Sequence, residues 1–274
     1  MDASMVAQPA ADRMPVQVQM VFKRTEAKYL LTDAQRSRLE RRMARQMEPD
    51  QFGPSTVRNL YLDTPTFLLA RRSLDHPLYK EKVRVRSYRP AGPGDRVFLE
   101  LKKKCEGVVY KRRCTCELEE ALGLCACRRP PVGQVEREIA FTAQREGGLF
   151  PVAYLAYDRE AFYAPHDRDL RMTFDRRVRA RWERLSLSDD AGEWVLGQGL
   201  NVLEVKTSKA MPLWLVSYLS GEGLRKTTFS KYGMAYRQRF PCGFKPPVPA
   251  AASLPETADS WRPAVAPSRA SLSL

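Results

Sequence analysis

The feature that most constrains this chain is the alternation of apolar and charged residues along several short segments. In the segment 82–88, valines alternate with Lys82, Arg84 and Arg86. The same alternation occupies the segments 22–28, 97–104, 170–175 and 203–206. A period of two places successive side chains on opposite faces of a β-strand. The pattern therefore predicts a sheet with one apolar face and one face lined by arginine, lysine and glutamate.

Helices and further strands fill the intervals between these segments. β-Branched and aromatic residues predict additional strands near 56–63, 108–114, 152–163 and 178–183. Helical spacing of apolar residues predicts helices near 33–47, 65–73, 134–146 and 211–220, with Asp33 as the N-cap of the first. The expected fold class is α+β, with helices packed outside an antiparallel sheet.

The charge of the chain lies in its central part. Lysine and arginine number 46 against 32 acidic residues, a formal net charge of +14, and the whole excess falls within residues 16–240. Residues 1–15 show no period, and residues 241–274 are rich in proline, alanine and serine. Both ends are predicted to be disordered tails flanking a single domain at 16–240. A body with this imbalance favours polyanionic partners: nucleic acid, nucleotide, polyphosphate or an anionic membrane.

The charged faces of the predicted strands admit two arrangements. They could converge inside a closed sheet, where the desolvation cost is tolerable only around a wet, anion-filled tunnel. They could equally form the solvated basic face of an open sheet. The alternation alone does not separate these two interpretations.

Several protein classes are disfavoured by composition. No apolar run reaches the ~20 residues of a membrane-spanning helix, and the first 20 residues lack the pattern of a secretory signal. The expected compartment is therefore the cytoplasm, where the six cysteines would be reduced. No phosphate-binding P-loop and no Ser/His/Asp arrangement is present in the sequence.

At this point the residues match a known family. The chain resembles the VTC (vacuolar transporter chaperone) polyphosphate-polymerase domain of the CYTH, or triphosphate tunnel metalloenzyme, superfamily. The matching segments occur in family order: FKRTEAKYLL (22–31), LYLDT (60–64), KVRVRSY (82–88), FLELKKK (98–104), GVVYKRR (107–113), YDREAFY (157–163), RMTFDRRVRAR (171–181), LEVK (203–206) and FSKYGMA (229–235). The resemblance implies a closed tunnel of eight antiparallel strands. It also implies transfer of the γ-phosphoryl group of ATP to a growing inorganic polyphosphate chain.

The resemblance also assigns roles to individual residues. It implies that the catalytic phosphate contacts are Lys28, Arg84, Arg86, Lys102, Arg159, Arg171 and Lys231. Further phosphate-binding residues are implied at Arg24, Lys111, Lys206 and Ser230. Arginine suits this task because its planar fork grips two phosphate oxygens.

A divalent metal, Mn²⁺ or Mg²⁺, is implied with these phosphates, and Glu204 is its ligand by family position. Glu26 and Glu100 share the charged faces, where an ion-pair role is favoured. Tyr157 lies two residues before Arg159 and either stacks on the nucleobase or is a tunnel-rim or core tyrosine. Asp63 is expected to fix a turn or cap a helix.

The same residues are compatible with functions other than a polyphosphate polymerase. Arg24 replaces the first glutamate of the Glu-x-Glu-x-Lys motif of many tunnel hydrolases, which favours the polymerase over a tunnel triphosphatase. A non-catalytic polyphosphate-binding module would need the basic lining but not Glu204. A duplex nucleic-acid binder is disfavoured because the cations would point inward. Known VTC enzymes work beside membrane channels, which suggests a membrane-protein partner, although this chain has no spanning segment of its own.

Two cysteine pairs stand outside the family pattern. Cys114 and Cys116 form one pair, and Cys125 and Cys127 form the other. Four thiolates suffice for a tetrahedral zinc site, but the Cys-x-Cys spacing is tighter than that of usual zinc knuckles. The spacing favours reduced, unliganded cysteines over a zinc site.

Overall fold

The alternating segments form one antiparallel sheet in the computed structural model of the protein, which describes residues 25–75, 77–106 and 108–244. The strands are β1 (Thr25–Thr32), β2 (Glu48–Pro49), β3 (Ser55–Asp63), β4 (Tyr79–Ser87), β5 (Arg96–Cys105), β6 (Val108–Glu117), β7 (Phe150–Ala164), β8 (Asp167–Arg181), β9 (Glu193–Trp194) and β10 (Leu200–Thr207). The helices are α1 (Asp33–Met43), α2 (Leu68–Leu74), α3 (Leu118–Cys125), α4 (Gly133–Arg145), α5 (Leu213–Gly221) and α6 (Lys231–Arg239).

Eight strands carry the sheet in the order β1-β10-β8-β7-β3-β4-β5-β6, and the short β2 and β9 pair with β7 and β8. The predicted antiparallel α+β class is confirmed. The predicted closure is not: among the described residues, the edge strands β1 and β6 share no backbone ladder.

The sheet curls strongly although its edges do not pair. Lys102 of β5 and Glu26 of β1 stand near opposite ends of the strand order, yet Lys102 Nζ lies 3.4 Å from Glu26 Oε2. Side chains of β1 and β5 therefore meet across one face of the curled sheet. We call it the concave face, and its charged side chains include Glu26, Lys28, Lys82, Arg84, Arg86, Glu100, Lys102, Lys111, Arg159, Asp175 and Glu204.

The apolar side chains of the same strands form the convex face and pack on helices. Leu99 and Leu101 of β5 join Ile139 of α4 and residues of α3 in one core cluster. Met172 of β8 joins Leu39 of α1 and residues of α5 in a second. Burial of these side chains stabilises the curl, since each large aliphatic contributes roughly 1.5–3 kcal/mol.

A β-bulge explains why one long strand has the sequence pattern of two. Strands were predicted at 170–175 and 178–183, whereas β8 runs unbroken from Asp167 to Arg181. Its register with β7 shifts between Ala156 and Asp158, and Arg177 opposite this shift has φ 51°. The extra residue exchanges the two faces, so Asp175 before it and Val178 after it both point to the concave side.

Helix boundaries differ from prediction at the first helix. Thr32, not Asp33, is the N-cap of α1: its hydroxyl accepts from the Gln35 amide, and the Gln35 side chain accepts from the Thr32 amide. This capping box leaves the Asp33 carboxylate free to accept from Asn201. The helix ends at Met43 rather than at residue 47. The helices α3 and α6 were not predicted.

Helix α6 packs over the end of the concave face formed by β3, β7 and β8. Tyr232 and Tyr236 of α6 pack with Tyr61, Leu155 and other apolar residues there. A Cβ on Gly233 would lie 3.0 Å from Leu74 of α2, so glycine permits the close approach of the two helices. Packing extends to Phe244, whose ring meets Phe240.

The buried Asp63 carboxylate links α2 to α6. It accepts from the amides of Leu69 and Ala70 at the start of α2 and from the Tyr232 hydroxyl. The expected capping role of Asp63 is confirmed. No helix of the described residues has the length and apolar character needed to cross a membrane. The predicted tail at 1–15 lies outside the described residues, as do Arg24 and all of the predicted tail at 241–274 except residues 241–244. Within that stretch Phe244 packs against the domain.

Candidate active site

Strand register brings most of the predicted residues onto the concave face. Lys28 of β1 stands opposite Glu204 of β10, and Glu204 stands opposite Thr173 of β8. One step along the strands, Lys206 of β10 stands between Glu26 and Arg171. Directly opposed residues of antiparallel strands share a face, so these side chains project into the same space.

Glu204 lies at the centre of four cations. Its carboxylate oxygens are 3.3 Å from Lys231 Nζ, 3.4 Å from Lys28 Nζ, 3.5 Å from Arg159 Nη2 and 3.6 Å from Lys206 Nζ. Burial favours the neutral acid, but the charges of these neighbours outweigh it and hold the pKa of Glu204 well below its usual value. Glu204 is therefore an ionised carboxylate at every ordinary pH.

Asp175 is a site residue that sequence reasoning missed. Its carboxylate is fully buried and takes the shorter contacts of the same cations: Arg159 Nε at 2.6 Å, Arg159 Nη2 at 2.7 Å and Lys231 Nζ at 2.5 Å. Its place on the polar side of the 170–175 alternation was the available signal. Asp175 fixes the two cations, and Glu204 receives only their longer contacts.

Tyr157 lies between the part of the concave face around Glu204 and the part around Glu100, which we call its two halves. Its hydroxyl accepts from Arg86 Nη2 at 3.3 Å, and its ring is 4.7 Å from Lys231 Nζ and 5.2 Å from the Arg159 guanidinium carbon. Only 3% of the residue is exposed. A nucleobase could reach this ring only after Arg159 or Lys231 moved aside, so nucleobase stacking by Tyr157 stays a prediction.

The second half of the concave face centres on Glu100, which is 1% exposed. Arg84 donates to it from Nε at 2.8 Å, Arg113 donates from Nε at 2.7 Å, and Lys111 Nζ lies 2.9 Å away. Arg86 stands farther off at 3.8 Å. These positive neighbours outweigh burial and hold the pKa of Glu100 far below its usual value. Arg113 was not predicted; it shares the face of Lys111, two residues before it on β6.

Lysines crowd together between the two halves. In the strand register, Lys102 of β5 stands directly opposite both Lys82 of β4 and Lys111 of β6. Burial, together with the charges of Lys102 and Lys28, lowers the pKa of Lys82 to about 7. Burial also lowers the pKa of Lys111, to about 8, against the attraction of Glu100. Like charges held opposite one another repel, and a bound polyanion would relieve that repulsion.

Two other predicted residues flank this region. Ser230 is the N-cap of α6; its Oγ accepts from the Gly233 amide and from Lys82 Nζ at 2.8 Å, which leaves the hydroxyl proton free for a ligand. Arg171 is exposed on β8, opposite Lys206 and away from the paired carboxylates. The structure thus brings together all the described predicted residues except Arg171, which lies at the margin.

The donor set near Glu204 fits a hard divalent cation that also binds phosphate. Lys28 Nζ is 3.3 Å from Glu26 Oε1 and 3.4 Å from Glu204 Oε1, so two carboxylates flank one point on the concave face. Mg²⁺ and Mn²⁺ take one or two carboxylates and complete their shells with water and phosphate oxygens. Glu204, with Glu26 beside it, could hold such an ion together with a phosphate chain.

Comparison with known proteins decides the family. The family model of the VTC domain matches residues 23–240. The chain belongs to the VTC domain family. The match spans every site residue described above. No curated protein matches the sequence.

Several solved structures have a chain trace similar to that of this VTC domain. A candidate adenylate cyclase from Bacillus halodurans is 14% identical, with a TM-score of 0.49 over 81% of this chain and 99% of that one. A candidate adenylyl cyclase from Hippeastrum, described as having a dominant triphosphatase activity, is 15% identical, with a TM-score of 0.45 over 76% and 92%. The PH1819 protein from Pyrococcus horikoshii OT3 is 15% identical, with a TM-score of 0.40 over 79% and 99%. At these scores the likenesses carry no weight in assigning function.

Proposed function

We propose that this VTC domain is a metal-dependent polyphosphate polymerase that transfers the γ-phosphoryl group of ATP to inorganic polyphosphate. The observation that carries the proposal is the concave face, on which crowded cations outnumber carboxylates. Lys82, Lys102 and Lys111 have too few acidic partners to offset their mutual repulsion. A chain of phosphates would supply one negative charge per unit at this place.

The cations in the two halves of the concave face would bind different phosphates during phosphoryl transfer. Arg159 and Lys231, held by Asp175, would bind the oxygens of the transferred phosphoryl group. Arg84 and Arg86, oriented by Glu100 and Asn59, would align the neighbouring phosphates. Such preorganised cations stabilise the charge that develops on the phosphoryl oxygens in the transition state. The terminal oxygen of the polyphosphate bonds to the γ-phosphorus, the bond from that phosphorus to the bridging oxygen breaks, and ADP leaves.

A divalent ion, Mn²⁺ or Mg²⁺, would lie at Glu204. When bound, it would neutralise phosphate charge and polarise the phosphoryl group. Lys28 bridges Glu204 and Glu26 in the free protein, so it is placed to move onto a phosphate oxygen when the ion binds. With Lys28 on a phosphate oxygen and the ion at the carboxylates, each negative group has a positive partner before and after binding.

The curl of the sheet supports a further part of the proposal, a tunnel around the phosphate chain. The contact between Lys102 and Glu26 already bridges β5 and β1. Contacts of this kind, rather than a β1–β6 ladder, would enclose the ligand. We further propose that the domain acts in the cytoplasm on ATP and polyphosphate, does not bind nucleic acid, and has a membrane-protein partner.

The test is a product analysis. Purified protein is incubated with ATP and Mn²⁺ or Mg²⁺, the products are resolved on a gel stained for polyphosphate, and free phosphate is assayed in parallel. The proposal expects long chains that require the metal. Free phosphate without chains would replace the polymerase by a triphosphatase, and tight polyphosphate binding without turnover under either metal would leave only a binding module.

A further inference from the structure

Three of the four cysteines in the two Cys-x-Cys pairs pack together on the convex side of the sheet, away from the concave face, and the fourth follows two residues after the third. Cys114 and Cys116 lie two residues apart on β6, so both point to the same side. Cys125 is the last residue of α3, and Cys127 follows it after one residue. Cys114, Cys116 and Cys125 pack in the same apolar cluster beneath α3 and α4.

The ligating atoms of this cluster lie close together. The sulfurs of Cys114 and Cys116 and a carboxylate oxygen of Glu136 are all within 4.8 Å of one another. In a tetrahedral zinc–thiolate site the sulfurs stand roughly 3.8 Å apart, given Zn–S bonds of about 2.3 Å. Among the described residues, these three form the one cluster of this compactness. The sulfurs of Cys114 and Cys116 are therefore close enough to bind one metal ion together.

The second pair lies at the end of α3, and its first cysteine shares the apolar cluster of the first pair. Cys125 is fully buried in the apolar cluster that also contains Cys114 and Cys116, and Cys127, two residues further on, is exposed. Cys127 has φ 58°, a left-handed backbone that a non-glycine residue adopts at some cost. The Arg128 amide donates to Gly123 O at 2.8 Å, which holds this turn against the helix.

The surroundings suit a thiolate cluster. Arg129 donates to both oxygens of Glu136, at 2.9 and 3.0 Å, and the Val132 amide donates to the same carboxylate at 2.7 Å. Glu136 is thus fully engaged by hydrogen bonds and is a poor candidate for a direct ligand. Arg129 places a positive charge beside the sulfurs, which offsets the negative charge of a zinc tetrathiolate.

We propose that Cys114, Cys116, Cys125 and Cys127 bind one zinc ion as four thiolates. Each thiol gives up its proton to solvent as its sulfur bonds to the metal, and no oxidant or reductant is needed. The closed set of four protein ligands makes this a structural site rather than a catalytic one. This assignment departs from the interpretation that the spacing favours, because Cys125 packs in one cluster with Cys114 and Cys116.

The proposed zinc has a structural role in β6. Within the described residues β6 is an edge strand that pairs with β5 alone. Its concave side carries Lys111 and Arg113, which contact Glu100, and its convex side carries Cys114 and Cys116. A zinc ion would fasten the strand to the end of α3 and so hold those cations in place. The zinc site does not depend on the proposed polymerase activity.

The test measures metal on the purified full chain. Protein produced in zinc-supplemented medium is passed through gel filtration and its zinc is quantified by mass spectrometry. The proposal expects one zinc per chain. Replacement by Co²⁺ should give the intense visible bands and the thiolate-to-cobalt charge transfer of a tetrahedral tetrathiolate. Wild-type protein with no retained zinc and no such spectrum overturns the proposal, as does a disulfide found by mass spectrometry within the cluster.

Matched variants locate the ligands. The double variant Cys105→Ser/Cys242→Ser changes two exposed cysteines outside the cluster and should keep the full zinc content. Cys114→Ser and Cys127→Ser should each lose most of it, whereas Glu136→Gln should retain it. Should Glu136→Gln lose the metal while Cys127→Ser keeps it, the four-thiolate assignment is wrong. Because the cobalt spectrum of the wild type is a separate readout, the proposal stays testable if a cysteine variant fails to fold.

Discussion

The two carboxylate centres of the concave face differ in how tightly they are held. Glu100 accepts from Arg84 and Arg113 at 2.7–2.8 Å. Glu204 is surrounded mainly by lysines, and its contacts are 3.3–3.6 Å long. The short contacts in its half of the face belong to Asp175 instead.

This difference indicates different tasks for similar residues. Arginine forks at hydrogen-bond distance fix Glu100 and Asp175, and these carboxylates in turn orient the cations around them. The contacts of the ionised Glu204 oxygens, including a hydrogen bond from Lys231, are 3.3 Å or longer, and ammonium groups can exchange onto phosphate. The contact lengths therefore assign anchoring to Glu100 and Asp175 and metal binding to Glu204.

The largest expected effect is on catalysis by Glu204→Gln. The amide keeps the size of the side chain but loses the charge that holds the metal. A metal ion contributes several kcal/mol of transition-state stabilisation, so kcat should fall on the order of 10³-fold or more. ATP binding, measured by calorimetry, should largely survive. A variant with near wild-type kcat would place the metal elsewhere.

The next largest expected effect is a loss of stability in the variant Glu100→Gln. Removing one partner of a buried ion pair leaves Arg84 and Arg113 without their compensating charge, and the free energy of unfolding should fall by about 3 kcal/mol, the lower end for such pairs. Denaturant unfolding measures it. Glu119→Gln, an exposed residue on α3, is the matched control and should change little. Equal losses in both variants would contradict the anchoring role.

Asp175→Asn should lower both metal affinity and stability, with a smaller effect on function than that of Glu204→Gln. The fully buried carboxylate no longer fixes Arg159 and Lys231, so both cations can move closer to Glu204 and compete with the metal. Mn²⁺ affinity in the presence of triphosphate should fall about tenfold, or ~1.4 kcal/mol, and stability should fall as well. An unchanged affinity in folded protein would show that Asp175 does not position these cations.

The smallest expected effect is a dependence of triphosphate affinity on pH, caused by the titration of Lys82. Its pKa of about 7 in the free protein rises when a phosphate chain binds, so binding takes up a proton above pH 7. Affinity for triphosphate should be flat below pH 7 and fall above it, by at most about tenfold per pH unit. Lys82→Met should flatten this fall, apart from the contribution of half-exposed Lys111, whereas Lys209→Met, an exposed control, should preserve it.

Sequence alone predicted the charged face of the sheet because its signal is local. The period of two in each strand assigns Lys28, Arg84, Lys102 and Glu204 to a charged side. The curl that joins these sides depends on contacts far apart in the chain, such as that between Lys102 and Glu26. Backbone pairing of β1 and β6 was expected from the family, and the described residues do not show it.

Residues whose role depends on tertiary contacts were missed for the same reason. Asp175 was visible only as one more polar residue, since its partners Arg159 and Lys231 lie 16 and 56 positions away in the chain. The β8 bulge reverses the alternation at Arg177 and made one strand read as two. The spacing of the cysteine pairs did not reveal that Cys125 packs in one cluster with Cys114 and Cys116, since this contact is tertiary.

The most direct test of the contrast between the two carboxylate centres is Mn²⁺ binding in the presence of tripolyphosphate, followed by electron paramagnetic resonance. Wild type, Glu204→Gln and Glu100→Gln are compared under conditions where circular dichroism shows each to be folded. The predicted result is loss of bound Mn²⁺ in Glu204→Gln and its retention in Glu100→Gln. Retention of Mn²⁺ by Glu204→Gln, or its loss from folded Glu100→Gln, would contradict the assignment of metal binding to Glu204 and anchoring to Glu100.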